Sequence, residues 1–355
     1  MQPQELFSKT YIKAREKFQK AAENWGGLLD SYTLYGYKGD IGEKLTMDLA
    51  WQGPRDAERL LITTSAVHGV EGHAGSALQT MCLSDRTLLS ACNDVAILHV
   101  HAFNPYGFSH GRRVNENNVD LNRNFIDWRK PAPADHRLLP MIEAAILSEN
   151  KGFKKLTSMA AMLRYGMAEL QEALTQGQYS RPQALFYGGD QLQWSNSIWQ
   201  AVIAREVPVR TLVSHMDFHT GLGRHAHAEM ILSAPLSSPA HRLATSWWPS
   251  VTSPDDKTSV STSLRGEIAN AFGNAAASPT IVPVTLEFGT VASWQVLKAL
   301  KADIMAVGTK DKRRAQSLMQ QAFNPYGAKW RAAVLDQGRA AIKQALQGLS
   351  SYRPA

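Results

Sequence analysis

Ser65-Ala66-Val67-His68-Gly69-Val70-Glu71-Gly72-His73 sets a His-x-x-Glu pair among glycines, directly after the run Arg59-Leu60-Leu61-Ile62-Thr63-Thr64. That run is apolar and β-branched, as a buried parallel strand is, and Ala74 to Leu89 has apolar residues at helical spacing. A strand that passes through the pair into a helix puts it at the strand's carboxyl end, where open α/β sheets bind their ligands. Imidazole nitrogen and carboxylate oxygen are both zinc donors, and a catalytic zinc takes three protein ligands and keeps a fourth position for water. On this reading His68 and Glu71 are two ligands of one zinc ion, and the third comes from elsewhere in the chain. A plainer alternative makes His68 a turn residue and Glu71 a first-turn carboxylate favoured by the helix dipole. The pair alone does not choose between them.

Working outward, 355 residues at 44% hydrophobic content suffice for one large α/β domain. The formal charge is +7, but Lys and Arg are spread along the chain rather than gathered in a run. That spread suits an anionic small substrate better than a nucleic-acid footprint. Two cysteines, Cys82 and Cys92, make no disulfide framework and read as reduced core thiols. Residues 1–25 are interrupted by charges and lack the apolar core of a secretory signal. No segment approaches the ~20 apolar residues that span a bilayer. The expectation is a soluble cytoplasmic protein with neither nucleic acid nor membrane as partner; the oligomeric state stays open.

The pattern of elements is that of alternating strands and helices. Leu6 to Ala22 predicts an amphipathic helix ending at Gly26-Gly27. Leu45 to Trp51 alternates and predicts a half-exposed strand beside the one carrying His68. Asp94 to Ala102 is a further buried strand, completing a β-α-β unit. The loop that follows, Phe103 to Phe125, is rich in Asn, Gly and Arg, which marks either a functional loop or a solvated run of turn formers. Three arginines with apolar punctuation at Val119, Leu121 and Phe125 favour function. Residues 131–208 are largely helical and read as an insertion between sheet strands, with aromatic and glycine residues around Tyr179 and Tyr187 that either rim a pocket or only pack the insertion on the body. Thr211 begins a strand whose alternation puts His215, Asp217 and His219 on one face. Glu229 to Ala234 is a short strand, Pro279 to Thr290 the last clear one, and Trp294 to Val307 and Trp330 to Leu349 are helical. Phe-Asn-Pro-Tyr-Gly occurs at 103–107 and 323–327, without a repeat unit around it. One domain over residues 1–355, with a helical insertion at about 131–208, is the economical organisation.

His68-x-x-Glu71, Arg113, Asp120-Leu121-Asn122-Arg123-Asn124-Phe125, Asp217-Phe218-His219 and Glu287-Phe288-Gly289 stand in the order found in the zinc metallocarboxypeptidase superfamily. The chain resembles that family over about residues 45–310, the insertion excepted. The compact His-Gly-x-Glu-Gly and Asp-Phe-His-Thr-Gly motifs are most similar to its succinylglutamate desuccinylase and aspartoacylase-like branch. The resemblance implies an α/β/α sandwich with a mixed, mostly parallel sheet.

It also implies a set of roles. His68, Glu71 and His219 would hold the zinc; Asn122 and Arg123 would hold a substrate carboxylate, which suits the planar fork of a guanidinium. Arg113, with Arg112 as the adjacent alternative, would polarise the scissile carbonyl, and Glu287 would be the general base. Asp217 is either an acceptor orienting a ligand imidazole or a buried acid bonded to backbone. The implied activity is zinc-dependent hydrolysis of an amide bond near a free carboxylate, on a short peptide or an N-acyl amino acid. A catalytically silent binding protein on the same fold is the alternative of a different class. The family's peptidases carry a mobile tyrosine before the catalytic glutamate, whereas no tyrosine lies between Tyr187 and Tyr326. Any phenol in the site would come from Tyr179 or Tyr187. The remaining histidines, His73, His99, His101, His110, His215, His225 and His227, are expected to be mostly structural or solvent-facing.

Overall fold

The computed structural model describes residues 3–27, 29–88, 93–148, 150–256, 258–273 and 279–353. In chain order the elements are α1 (Pro3–Leu6), α2 (Tyr11–Trp25), β1 (Leu29–Thr33), β2 (Thr46–Gln52), β3 (Arg59–Ser65), α3 (Gly72–Ser84), β4 (Val95–His101), α4 (Pro105–His110), α5 (Leu139–Leu147), α6 (Lys151–Thr175) and α7 (Trp194–Glu206). They continue with β5 (Leu212–Thr220), β6 (Ala228–Leu232), α8 (Pro239–Trp247), β7 (Val251–Thr252), β8 (Thr280–Phe288), α9 (Ser293–Met305), α10 (Lys312–Phe323) and α11 (Ala328–Ser351). The strands form an eight-stranded sheet in the order β1-β2-β4-β3-β5-β8-β6-β7. Its centre, β4-β3-β5-β8, is parallel, and antiparallel strands flank it on both sides.

Two apolar layers follow from the period-two alternation of the central strands. Leu61, Met216, Phe218 and Leu286 face one side, where they pack with Leu78 of α3, Ala244 of α8 and Ile342 of α11. Leu60, Ile62, Leu98 and Val213 face the other, against Trp199 and Val202 of α7 and the aromatic rings of Phe103 and Phe125. The fold is therefore an α/β/α sandwich with a mixed sheet, as the motif order implied. Because Phe218 and Leu286 turn to the first side, Asp217, His219 and Glu287 all turn to the second. His219 and Glu287 are register partners in the parallel β5–β8 ladder.

Three expectations are corrected. β2 pairs with β4, not with the strand carrying His68, and it is buried throughout rather than half-exposed. β1 adds outside β2, whose polar residues are satisfied internally: Arg15 Nε donates to Asp48 Oδ2 at 2.7 Å and Thr46 N donates to the Tyr11 hydroxyl oxygen at 2.8 Å. Polar alternation there records a paired interface, not solvent. The helix after the His-x-x-Glu pair ends at Ser84, short of Leu89, because Asp85 leaves helical geometry and its carboxylate accepts from Thr87 N at 3.0 Å. The edge strand β1 and the charge-rich helix α10 carried too little apolar periodicity to be singled out. Cys82 is a buried free thiol; Cys92 lies outside the described residues.

The single helix expected over Leu6 to Ala22 is also corrected, because α1 ends at Leu6 and α2 begins only at Tyr11. α2 stops at Gly26, whose left-handed φ of 83° lets the chain turn where a side chain would be strained. The 131–208 segment supplies α5, α6 and α7, and α6 bends at Gly166, where φ is 76°. No helix among the described residues is long and apolar enough to cross a membrane.

Candidate metal centre

β3 ends abruptly at Ala66, a buried non-glycine residue at φ 61°. Such a conformation costs roughly 1–3 kcal/mol and persists only where the surroundings enforce it. Here Asn104 N donates to the Ala66 carbonyl at 2.9 Å. The chain then meets the loop after α4: Gly69 N donates to the Arg113 carbonyl at 3.1 Å and Val70 N to the Arg112 carbonyl at 2.8 Å. A Cβ on Gly69 would lie 2.0 Å from the Gly107 backbone, so only glycine admits this contact. The two loops that the sequence marked as functional are thus tied together by main-chain bonds.

His68, Glu71 and His219 converge, with donor atoms all within 4.8 Å of one another and all three side chains buried. The His68 and His219 Nδ1 atoms are 3.0 Å apart, and each lies 3.0 Å from a Glu71 carboxylate oxygen. The far nitrogens are engaged by acids: His68 Nε2 meets Asp120 Oδ1 at 3.1 Å and His219 Nε2 meets Asp217 Oδ2 at 2.5 Å. These partners assign the ring protons to Nε2 and leave the Nδ1 lone pairs facing inward. Two imidazole nitrogens and a carboxylate converging in a buried space need a proton or a cation between them. The spacing fits zinc, since ligand bonds of ~2.0–2.1 Å give tetrahedral edges of roughly 3.3 Å. The donor set therefore fits a zinc-sized ion held by His68, Glu71 and His219.

The acids behind the imidazoles are themselves fixed. Thr64 Oγ1 donates to Asp217 Oδ1 at 2.6 Å, which fixes the carboxylate whose other oxygen meets His219 Nε2. Asp120 also accepts from Arg113 Nε at 2.9 Å and Asn122 N at 3.1 Å. Burial would raise the Asp120 carboxyl, but the charges of Arg113 and Arg123 and the hydrogen bond with His68 hold it well below the usual carboxylate range. Loss of such orienting acids typically costs 10–100-fold in metal affinity. Asp217→Asn should therefore weaken zinc binding by about that factor without unfolding the chain, as competition with a chelator measures; unchanged affinity would deny Asp217 this role.

A cavity of about 1180 Å³ opens over these donors. Arg113 and Arg123 line it, and so do Asn122 and Glu287. Arg113 Nη1 reaches Glu71 Oε1 at 3.2 Å and stands over the Phe186 ring at 5.4 Å. Glu287 Oε1 accepts from Leu222 N at 2.9 Å. Burial, and then the negative charge of Glu71, push its carboxyl up to about 8; a cation on the three donors would act the other way.

The other candidates fall as follows. Arg112 turns from the cavity to Asp303, at 3.0 Å, and to Asn118, at 2.9 Å, so of the two arginines only Arg113 faces the donors. Arg123 is buried, with Nε and Nη2 on the Thr175 carbonyl at 2.9 and 2.7 Å and Nη1 on the Asn122 carbonyl at 2.8 Å. Of its five N–H groups, those three bonds leave two. The Asn122 side-chain oxygen accepts from Ile268 N at 2.7 Å, leaving its amide donors for a ligand. Tyr187 does not rim the cavity: its ring packs in the core beside Val119 and Leu121, and its neighbour Phe186 lines the cavity instead. Tyr179 donates its hydroxyl to the Arg123 carbonyl at 2.7 Å. No tyrosine lines the cavity among the described residues.

Sequence reasoning passed over Asp120 as an orienting acid, Phe186 under both arginines at 5.4 and 5.8 Å, and Arg224, an exposed cation on the cavity lining. Asp120 opens the quoted Asp-Leu-Asn-Arg run, and its carboxylate was the available signal. His73, His99, His101 and His215 are buried and structural; burial lowers them to about 4, 3, 4 and 4, so they stay neutral.

Fold and site together define an α/β/α protein with a candidate metal centre at the carboxyl ends of its parallel strands. The chain belongs to the family described as "Protein of unknown function (DUF2817)", whose model matches residues 7–337. No curated protein matches it. Among solved structures it is similar to carboxypeptidase A from Helicoverpa armigera, at 13% identity over 94% of this chain and 73% of that one, with a TM-score of 0.46. It is also similar to the murein-tripeptide amidase MpaA from Escherichia coli O157, at 18% identity over 84% and 93%, TM-score 0.37. Succinylglutamate desuccinylase from Chromobacterium violaceum is similar at 15% identity over 88% and 74%, TM-score 0.38.

Proposed function

We propose that the protein is a zinc-dependent hydrolase that cleaves an amide bond near a free carboxylate, on a short peptide or an N-acyl amino acid. The observation that carries this reading is the pair of Nδ1 atoms and the Glu71 carboxylate converging at 3.0 Å, with Arg113 and Glu287 on the same cavity. When bound, zinc supplies Lewis-acid charge and lowers the pKa of a nearby water.

The chain's own residues supply the rest. Glu287, held by Leu222 N, accepts the proton of the attacking water and returns it to the leaving amine. Arg113, fixed between Asp120 and Glu71, donates to the carbonyl oxygen as charge develops on it. Arg123 offers its two remaining N–H groups, with the Asn122 amide, to the substrate carboxylate. Phe186 packs under both guanidinium groups and holds them in plane.

Assay of zinc-loaded protein on parallel panels of short peptides and N-acyl amino acids tests the reading. Turnover that depends on zinc and on a free carboxylate is expected; absence of turnover on both panels would leave the silent binding protein.

The two arginines should separate kinetically. Arg113→Ala is expected to lower kcat by about 10²-fold, as removal of one oxyanion donor does. Arg123→Ala is expected to raise KM with a smaller effect on kcat, since it anchors ground and transition state alike. Because that change also frees the Thr175 carbonyl, it should lower the melting temperature. Equal losses in kcat alone would contradict the division of roles.

A further inference from the structure

The cavity is divided by chemistry. Its charged lining residues are Glu71, Arg113, Arg123, Arg224, Glu267 and Glu287, all from strand ends and loops. The helices α5, α6 and α9 line the same cavity and, among the described residues, contribute no charged residue to it. From α5 come Met141 and Ile142, from α6 Met159, Met162 and Leu170, and from α9 Leu297. Of the charges on α6, Glu169 pairs with Arg137 at 2.8 Å and Arg164 lies over Tyr165. The volume of about 1180 Å³ exceeds the ~300–1,000 Å³ usual for small-ligand pockets. An acetyl or succinyl group on an amino acid would leave most of the apolar wall facing water. Methionine side chains bend to fit a flexible apolar chain, and three of them line this wall from one helix: Met159, Met162 and Met167.

We propose that the substrate is an N-acyl amino acid with a long aliphatic acyl chain, its carboxylate and amide over the charged floor and its chain along the wall built by α5, α6 and α9. This rests on the hydrolase reading and names its substrate class. The step is hydrolysis: water adds to the amide carbonyl, the C–N bond breaks, and the products are a fatty acid and a free amino acid. No oxidant or reductant is needed. The apolar wall comes largely from the helical insertion, so the insertion sets chain-length selectivity.

The test uses N-acylglycines from acetyl to hexadecanoyl, below their micellar concentrations. With zinc-loaded protein, kcat/KM is expected to rise roughly three- to fourfold per methylene until the wall is covered, following the ~0.8 kcal/mol of each buried methylene. In parallel, calorimetric binding to the full chain carrying Glu287→Gln, where hydrolysis is slowed, should tighten in the same way. Met159→Asp and Met162→Asp should weaken dodecanoylglycine binding at least tenfold and leave acetylglycine unaffected. Leu163→Asp is the control, because Leu163 is 83% exposed on the same helix and does not line the cavity. A flat chain-length profile, or equal losses from Leu163→Asp and Met162→Asp, overturns the proposal; the second outcome would mean that the outer face of α6 meets an apolar surface instead. Length-dependent binding in a protein that hydrolyses no member of the series would refute the hydrolase reading and leave the selectivity of the cavity standing.

Discussion

His219→Ala protein should purify folded and without stoichiometric zinc. The substitution removes one of three converging donors, and the two that remain, His68 and Glu71, come from one loop and cannot enclose an ion by themselves. No nearby histidine is placed to substitute. His215, on the same face of β5, has its Nε2 on Thr64 at 3.0 Å and its ring against Trp199 and Phe272, with centroids 5.4 and 5.2 Å away, inside the core. His68→Ala and Glu71→Ala should lose the ion equally. Glu71→Ala should also cost stability, because it leaves Thr220 N and the Arg113 guanidinium short of an acceptor in a buried site. Metal analysis after dialysis gives the direct measure. A melting-temperature rise on adding zinc, present in the parent and lost in each variant, gives the linked one. Stoichiometric zinc in the His219→Ala protein would mean that the donor set is wrong.

The sequence made the centre of this molecule readable and its edges unreadable. β3 and β4 are largely buried and carry apolar runs at Leu60–Ile62 and Val95–Leu98, and β5 and β8 keep enough apolar residues around Ser214, His215, Asp217 and Thr285 to be read as strands. Their functional side chains sit at strand ends, where a break in apolar character is conspicuous. That is why His68, Glu71, His219 and Glu287 could be picked out and now stand around one cavity. The rest depended on tertiary partners. Nothing local to Thr46–Gln52 says that Arg15 and Tyr11 will satisfy its polar residues, so an internal strand looked half-exposed. Neighbours in sequence also diverge in space for reasons invisible in the string. Phe186 adopts a left-handed φ of 56° and turns to the cavity, while Tyr187 beside it enters the core. Arg112 finds Asp303, distant in sequence, and Arg113 finds Glu71 and Asp120. The duplicated Phe-Asn-Pro-Tyr-Gly shows the same dependence on context: Asn104 caps the start of α4, whereas Phe323 closes α10 and lends its carbonyl to Thr220.

Glu287→Gln should leave a folded, zinc-binding protein whose turnover falls by at least the ~10²–10⁴ typical of general acid–base catalysis. Glutamine keeps nearly the volume of glutamate, and its amide oxygen can still accept from Leu222 N, so the loop after β5 has no reason to move. What disappears is the only function that an amide cannot replace, taking up a proton. Glu287 is not among the three metal donors, so zinc content separates this variant from His219→Ala. Because burial and the charge of Glu71 already push the Glu287 carboxyl up to about 8, a neutral amide in its place should hold the melting temperature level. A purely structural glutamate predicts the opposite pattern, with a lower melting temperature and near-normal turnover. Metal content, melting temperature and kcat measured on one preparation distinguish the two, and a zinc-replete Gln variant that turns over normally would take Glu287 out of the mechanism.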